Sequence, residues 1–201
     1  MFAKTLDVSD YLNGKLRLVK PSLEYASLSL KWLRDPEIGQ YMGADFSNVS
    51  LETEERRIQD ILSSEDTYGW MIELDGQVIG AIEINRIKKS SEEYGVKAGN
   101  FSTLIGDKQQ WGKRIATFAK RAVMSWGFSD GGFELFVGKA LSNNKRSWRS
   151  LERLGFEFKG TKIEDLYGRP VEWKIYVMDK VHYLDFDAVD ERIVAMFEGG
   201  H

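Results

Sequence analysis

The chain of 201 residues has no cysteine. That absence excludes a thiol nucleophile, a disulfide framework and any thiolate-bound metal. Histidine is almost as scarce: only His182 and His201 occur, both close to the C-terminus. Neither a zinc site nor a histidine proton relay can be assembled from the body of the chain, so no metal is expected. Long apolar runs are missing too, and none approaches the about 20 residues that cross a bilayer. The opening MFAKTLDVSDYLNGK lacks the apolar centre of a secretory signal. A positive excess is also absent. The 28 Lys and Arg stand against 31 Asp and Glu, a net charge of -3, which speaks against a general nucleic-acid binder. What remains is a chain expected in the cytoplasm, with no membrane or nucleic-acid partner. Its chemistry must run on carboxylates, hydroxyls, backbone amides and a borrowed cofactor.

With 42% hydrophobic and 29% charged residues, the composition is that of one globular domain. Leu16 to Val19 reads as a strand ended by Pro21. Ser22 then caps a helix with Leu23, Ala26, Leu30 and Leu33 inward, which stops before Asp35-Pro36. Ser50 caps a second helix over residues 51–62, with Leu51, Ile58, Ile61 and Leu62 inward. Asp75-Gly76 between the alternating runs Trp70, Ile72, Leu74 and Val78, Ile82, Ile84 marks a tight hairpin. Residues 87–99 are polar and read as a long loop. Phe101 to Ile105 is a strand, and Ile115 to Trp126 a helix that Gly127 can end. Glu134 to Val137 is a strand, residues 145–154 a helix closed by Gly155, and Val171 to Met178 a last strand. The domain therefore spans residues 1–180, and residues 181–201 form an acidic tail with helical spacing. Strand-helix units in the second half imply α/β architecture with a partly parallel sheet.

Residues 105–116, IGDKQQWGKRIA, form a polar loop running from a strand into a helix. Such a junction leaves helix-start amides unpaired beside the positive end of the helix dipole, which makes an anion site. An ordinary strand-to-helix turn explains the residues equally well. The segment is not a magnesium-binding P-loop, because Arg114 stands where Ser or Thr must ligate the metal. Charge is nonetheless concentrated here. Between Asp107 and Arg153 ten Lys or Arg face four Asp or Glu, although the whole chain is acidic.

IGDKQQWGKRIA followed by TFAKRAVMSWGF resembles the acyl-CoA-binding motif of GNAT acetyltransferases. The branch it is most similar to contains the ribosomal-protein N-terminal and polyamine acetyltransferases. SNNKRSWRSLERLGF, residues 142–156, resembles that branch's N-x-x-S-x-x-x-L/Y-E-x-L-G-F segment, and Lys31-Trp32 through Asp35-Pro36-Glu37 resembles its W-x-x-D-P-E helix. The resemblance implies a GNAT fold: a mixed sheet of about seven strands, splayed at the cofactor site and flanked by helices. Acetyl-CoA is the implied cosubstrate, and the implied partner is a small-molecule or peptide amine, with a homodimer left open. Backbone of Leu104, Ile105 and Gly106 would pair with the pantetheine arm. Amides of Trp111, Gly112, Lys113, Arg114, Ile115 and Ala116 would hold the diphosphate, and Asn144 would bond the pantetheine. Two positions depart from the family. Its glycine after W-G-K is Arg114, and its later-helix tyrosine falls on Leu151.

Acyl transfer to an amine needs a base, because an alkyl ammonium with a pKa near ~10 must lose a proton before attack. Direct attack in a ternary complex then suffices, and no enzyme nucleophile is required. Glu83, a carboxylate within a hairpin strand, is the candidate base, with a structural ion pair as the competing explanation. Ser147, at a serine position of the resembling branch, is the candidate acid. It competes with a first-turn serine bonding backbone. Arg114 is expected to keep an ordinary backbone angle and to reach a cofactor phosphate. Gly127-Phe128-Ser129-Asp130-Gly131 matches a nucleophile elbow in letters only, because its helix and strand come in the reversed order. The alternative to an enzyme is a GNAT scaffold that binds CoA without turnover.

Overall fold

A computed structural model describes residues 5–7, 16–43, 45–166 and 168–184. Its strands are β1 (Leu6–Asp7), β2 (Leu16–Val19), β3 (Tyr68–Leu74), β4 (Gln77–Asn85), β5 (Ala98–Ile105), β6 (Leu135–Leu141), β7 (Glu157–Leu166) and β8 (Arg169–Asp179). The helices are α1 (Ala26–Leu33), α2 (Pro36–Gly39), α3 (Leu51–Ser63), α4 (Ile87–Tyr94), α5 (Ile115–Ser129) and α6 (Lys145–Arg153). The strands form one sheet in the order β1-β2-β3-β4-β5-β6-β8-β7. Seven strands are of ordinary length, and a two-residue strand adds an edge.

Local chemistry explains most boundaries. Asp75 and Gly76 both take positive φ, 52° and 77°, as a two-residue hairpin turn demands. Ser50 Oγ accepts from the Thr53 amide and starts α3. Ser22 caps a 3-10 turn, Leu23–Tyr25, that leads into α1. Arg34 ends α1, and Asp35 caps the short α2, accepting from the Glu37 amide. The inward faces differ in part from the spacing. In α1 the buried residues are Ala26, Ser29, Trp32 and Leu33, while Leu23 is exposed. In α3 they are Glu54 and Ile58, and Leu51 is exposed.

Three elements depart from expectation. Residues 87–94 are not loop but α4, a polar helix that buries only Ile87 and Ser90. Gly127 does not end α5. The helix runs through it to Ser129, because Gly127 is where the Phe136 ring packs against the helix backbone. Strand β7 had no sequence signal: most of its ten residues are exposed, so no apolar alternation marks it. Ser129 lies at the end of α5 with its Oγ donating to the Ser125 carbonyl, as a helix-ending turn and not as a nucleophile elbow. The tail beyond residue 184 lies outside the described residues.

The sheet separates two layers. On one face, Phe101 of β5 and Phe136 and Ala140 of β6 pack with Ala119, Val123 and Phe128 of α5 and with Leu151 of α6. On the other, Trp32 of α1 packs on Met71, Ala81 and Leu104, and α3 lies beside it. Because side chains alternate along a strand, each strand contributes to both layers.

Candidate active site

Among the described residues β5 and β6 are the only parallel neighbours, and they stay paired only from Ala98↔Leu135 to Phe101↔Gly138. Beyond that, residues 102–105 of β5 remain bonded to β4, and residues 139–141 of β6 to β8. The two strands therefore diverge, and their facing backbone groups lose each other as partners. A cleft of about 630 Å³ opens through this gap from one sheet face to the other.

On the α5–α6 face the cleft is lined by Thr103, Ile105, Ile115 to Thr117, Lys120, Gly138, Ser147 and Ser150. Here α5 begins. Among the described hydrogen bonds, the amides of Gly112, Arg114, Ile115 and Ala116 have no acceptor, as expected of a helix start. Four N–H groups and the positive helix end thus converge on one wall of the cleft. Gly112 has φ 83°, and a side chain there would meet nothing of the protein. Asn144 Oδ1 caps α6 by accepting from the Ser147 amide, which leaves its amide NH₂ for a ligand.

Arg114 corrects the expectation of an ordinary backbone angle. It is the N-cap of α5, with φ 62° and ψ 10°, in the left-handed region that the family's glycine would occupy without cost. Its guanidinium is exposed and has no described partner. Leu151 is the second departure. It packs onto Gly138, where an added Cβ would stand 2.6 Å from the leucine side chain, so no phenol reaches the cleft from this position.

Of the expected site residues, Leu104, Ile105, Trp111, Gly112, Arg114, Ile115, Ala116, Asn144 and Ser147 line the cleft, whereas Glu83, Gly106 and Lys113 do not. The Gly106 amide donates to the Ile79 carbonyl, and its α-carbon lies against the Trp32 indole. The Ile105 carbonyl accepts from Trp111 Nε1 at 2.8 Å. Two of the three backbone positions expected for a pantetheine arm are thus already engaged within the protein. Glu83 sits on the opposite sheet face from α5, where Arg57 of α3 donates to its Oε1 at 2.6 Å. Arg57 also grips the buried Glu54, which accepts from Ser29 Oγ. Glu83 Oε2 has no described partner, and Ser102, its cross-strand neighbour on β5, lines the cleft.

Lys120 went unnoticed in the sequence. It is 5% exposed, its Nζ lies 3.3 Å from Ser150 Oγ, and Ser150 Oγ lies 3.2 Å from Thr117 Oγ1. Burial pushes its pKa down from 10.5 to about 8. The signal that could have found it was a lysine one position from the apolar Ala119 on an otherwise inward helix stripe.

The family model for the acetyltransferase (GNAT) domain matches residues 15–157, well over half of the chain. The chain belongs to the GNAT acetyltransferase family. A family relative, an uncharacterized N-acetyltransferase p20 of Bacillus licheniformis, is 25% identical over 177 residues, 84% of this chain and 95% of that one. Solved GNAT structures share the fold. The ribosomal L7/L12 α-N-protein acetyltransferase RimL, in complex with coenzyme A, superposes with TM-score 0.74 at 17% identity, over 88% of this chain and 98% of that one. The spermidine N-acetyltransferase of Vibrio cholerae, in complex with CoA and spermine, gives 0.73 at 16%, over 85% and 98%. The microcin C7 self-immunity acetyltransferase MccE, in complex with acetyl-CoA and AMP, gives 0.69 at 21%, over 82% and 92%. As a GNAT protein, the chain is an acetyltransferase by family.

Proposed function

We propose that the protein transfers an acetyl group from acetyl-CoA to a primary amine by direct attack in a ternary complex, in the cytoplasm. The observation that carries this reading is the splay of β5 from β6 ending at four unpaired amides of the α5 start. An extended anionic cofactor fits that shape. The helix-start amides, together with the exposed Arg114 and Lys113, suit a diphosphate. Polar backbone freed by the splay suits an amide-containing arm, and Asn144 adds a side-chain donor. Bound acetyl-CoA supplies the activated thioester. Free N–H groups of the diverging β5 would stabilise negative charge on the acetyl oxygen.

The acceptor enters from the opposite face, where Asn85, Asn100 and Ser102 border the gap. Glu83 is the proposed base. Its open Oε2 would take the ammonium proton through a water held at Ser102, while Arg57 keeps the carboxylate in place. Ser147 is the proposed proton donor to the departing thiolate. The thiol has a pKa near ~8.5, so it needs modest help. A Lys120 ammonium on the same face would add favourable potential as the thiolate forms.

Release of free CoA with a panel of amines tests the reading. Glu83→Gln should lower the maximal rate by roughly a hundredfold below about pH 8, with partial recovery above it, as for loss of a general base. Equal rates for wild type and variant from pH 6 to 9 would leave Glu83 a structural partner of Arg57. Ser147→Ala should slow turnover by about tenfold or less while keeping acetyl-CoA affinity. Tight CoA binding with no amine acetylated would instead support the second reading, a CoA-binding module. The substitution of Leu151 for the family's tyrosine favours that alternative.

A further inference from the structure

The acceptor face of the cleft is cationic. Among the residues lining it on that side, Arg86, Lys139 and Arg146 stand against a single carboxylate, Glu164. That carboxylate is already occupied. Lys139 Nζ donates to both of its oxygens, at 2.8 and 3.0 Å, and Lys162 approaches at 3.4 Å. Hydrogen bonding from Lys139 holds Glu164 below the usual carboxylate range. Carboxylates farther out are taken as well: Asp35 and Glu37 both hold Lys108, and Glu54 and Glu83 share Arg57. Once Lys139 and Glu164 cancel, a second ammonium brought in with the acceptor would meet the unpaired guanidiniums of Arg86 and Arg146, and the one open carboxylate oxygen nearby, Glu83 Oε2, is reserved for the reacting amine.

Donors, by contrast, stand ready. Arg146 reaches from α6 to lie 3.9 Å from the centre of the Trp111 ring and 5.0 Å from that of Tyr41. Two aromatic rings thus hold the guanidinium in place, and none of its N–H groups has a described hydrogen bond. A guanidinium so fixed presents its edge to a planar or tetrahedral oxyanion. Arg86, at the end of β4, is exposed and has no described partner. Trp173, on the same sheet face, has its Nε1 buried without a hydrogen-bond acceptor, which is costly unless a ligand oxygen completes it.

We infer that the acceptor is a primary amine carrying a carboxylate or phosphate close to the reacting nitrogen, and not a polyamine. The inference rests on the acetyl-transfer reading above for which molecule occupies this face. Lys139 and Glu164 neutralise one another on the floor, Arg146 and Arg86 bind the anion, and Met42, Leu166 and Trp173 enclose the apolar part.

Two matched pairs and one polycation test it: phosphoethanolamine against ethanolamine, the peptide Ser-Asp-Asp-Ala against Ser-Lys-Lys-Ala, and spermidine. Each is titrated into the CoA complex by calorimetry and assayed for CoA release from acetyl-CoA. The acidic member of at least one pair should bind and turn over about tenfold better than its partner, with spermidine below both. The pair that responds separates a small phosphorylated amine from an acidic peptide terminus. Arg146→Gln and Arg86→Gln should each shrink that preference while acetyl-CoA affinity stays within about twofold. Better binding of spermidine or Ser-Lys-Lys-Ala overturns the inference, as does an acidic preference that survives both substitutions. Binding of the acidic members without acetylation of any amine would uphold the anion preference of this face and overturn the acetyl-transfer reading instead.

Discussion

Lys120 is a lysine that the apo fold has reason to reject. Its unfolded counterpart keeps the proton up to about pH 10.5, whereas the buried amine gives it up near 8. Between those values the unfolded chain binds more protons, so stability rises with pH across that window. Below pH 8 the full penalty applies, on the order of 3 kcal/mol for a shift of this size. Lys120→Met should therefore stabilise the cofactor-free protein at pH 7 by on the order of 1–3 kcal/mol and flatten the rise between pH 8 and 10.5. Urea titrations of both proteins at pH 7 and pH 10 check this. A variant less stable than wild type at pH 7 would mean that the ammonium earns its place structurally. Arg114 presents a similar contrast. Its left-handed backbone costs ~1–2 kcal/mol, so Arg114→Gly should raise the melting temperature. The same change should weaken CoA binding at low salt, with the gap closing as salt screens the lost cation. Calorimetry at two ionic strengths would expose an arginine that obstructs, because the variant would then bind more tightly.

Elements follow local rules until packing outvotes them. Gly127 reads as helix punctuation, yet it lies inside α5 because a Cβ there would stand 2.4 Å from the Phe136 ring. Alanine would gain about 1 kcal/mol of helix propensity. Phe136 is fully buried among other core rings, so overpacking at ~1–3 kcal/mol should win. Gly127→Ala should lower the denaturant midpoint, and a higher midpoint would show that the ring can shift. The capping serines, the Asp75-Gly76 hairpin and the α5 start were readable because each rests on a few neighbouring residues. Helix α4 and strand β7 were not, because their sequences are polar, α4 buries only Ile87 and Ser90, and most of β7 stays exposed. Without a periodic apolar face, only contacts with the rest of the sheet define them.

For the molecule as a whole, the cleft between β5 and β6 is a gap in an otherwise continuous sheet. A ligand that bridges it should tie the two halves together. Acetyl-CoA at a hundred times its dissociation constant should add ~2.7 kcal/mol. For a domain of this size that is a shift of roughly 5–10 °C in melting temperature. Gly112→Asp should erase the shift by setting a carboxylate against the amides of the α5 start. An unchanged shift in that variant would place the diphosphate elsewhere.

The sequence by itself determined the family, the order of most elements and the loop that begins α5. Those depend on short-range chemistry: caps, turn residues and hydrophobic period. Nine of the residues it singled out line the cleft, all within residues 104–116 and 144–147, while the lining from β4, β6, β7 and β8 had no local signal. The tertiary structure alone decided which groups are free. Glu83 meets Arg57 across 26 positions, Lys139 meets Glu164 across 25, and Lys120 meets Ser150 across 30. Ion pairs and buried amines are set by which side chains the sheet brings face to face, and no local pattern encodes that.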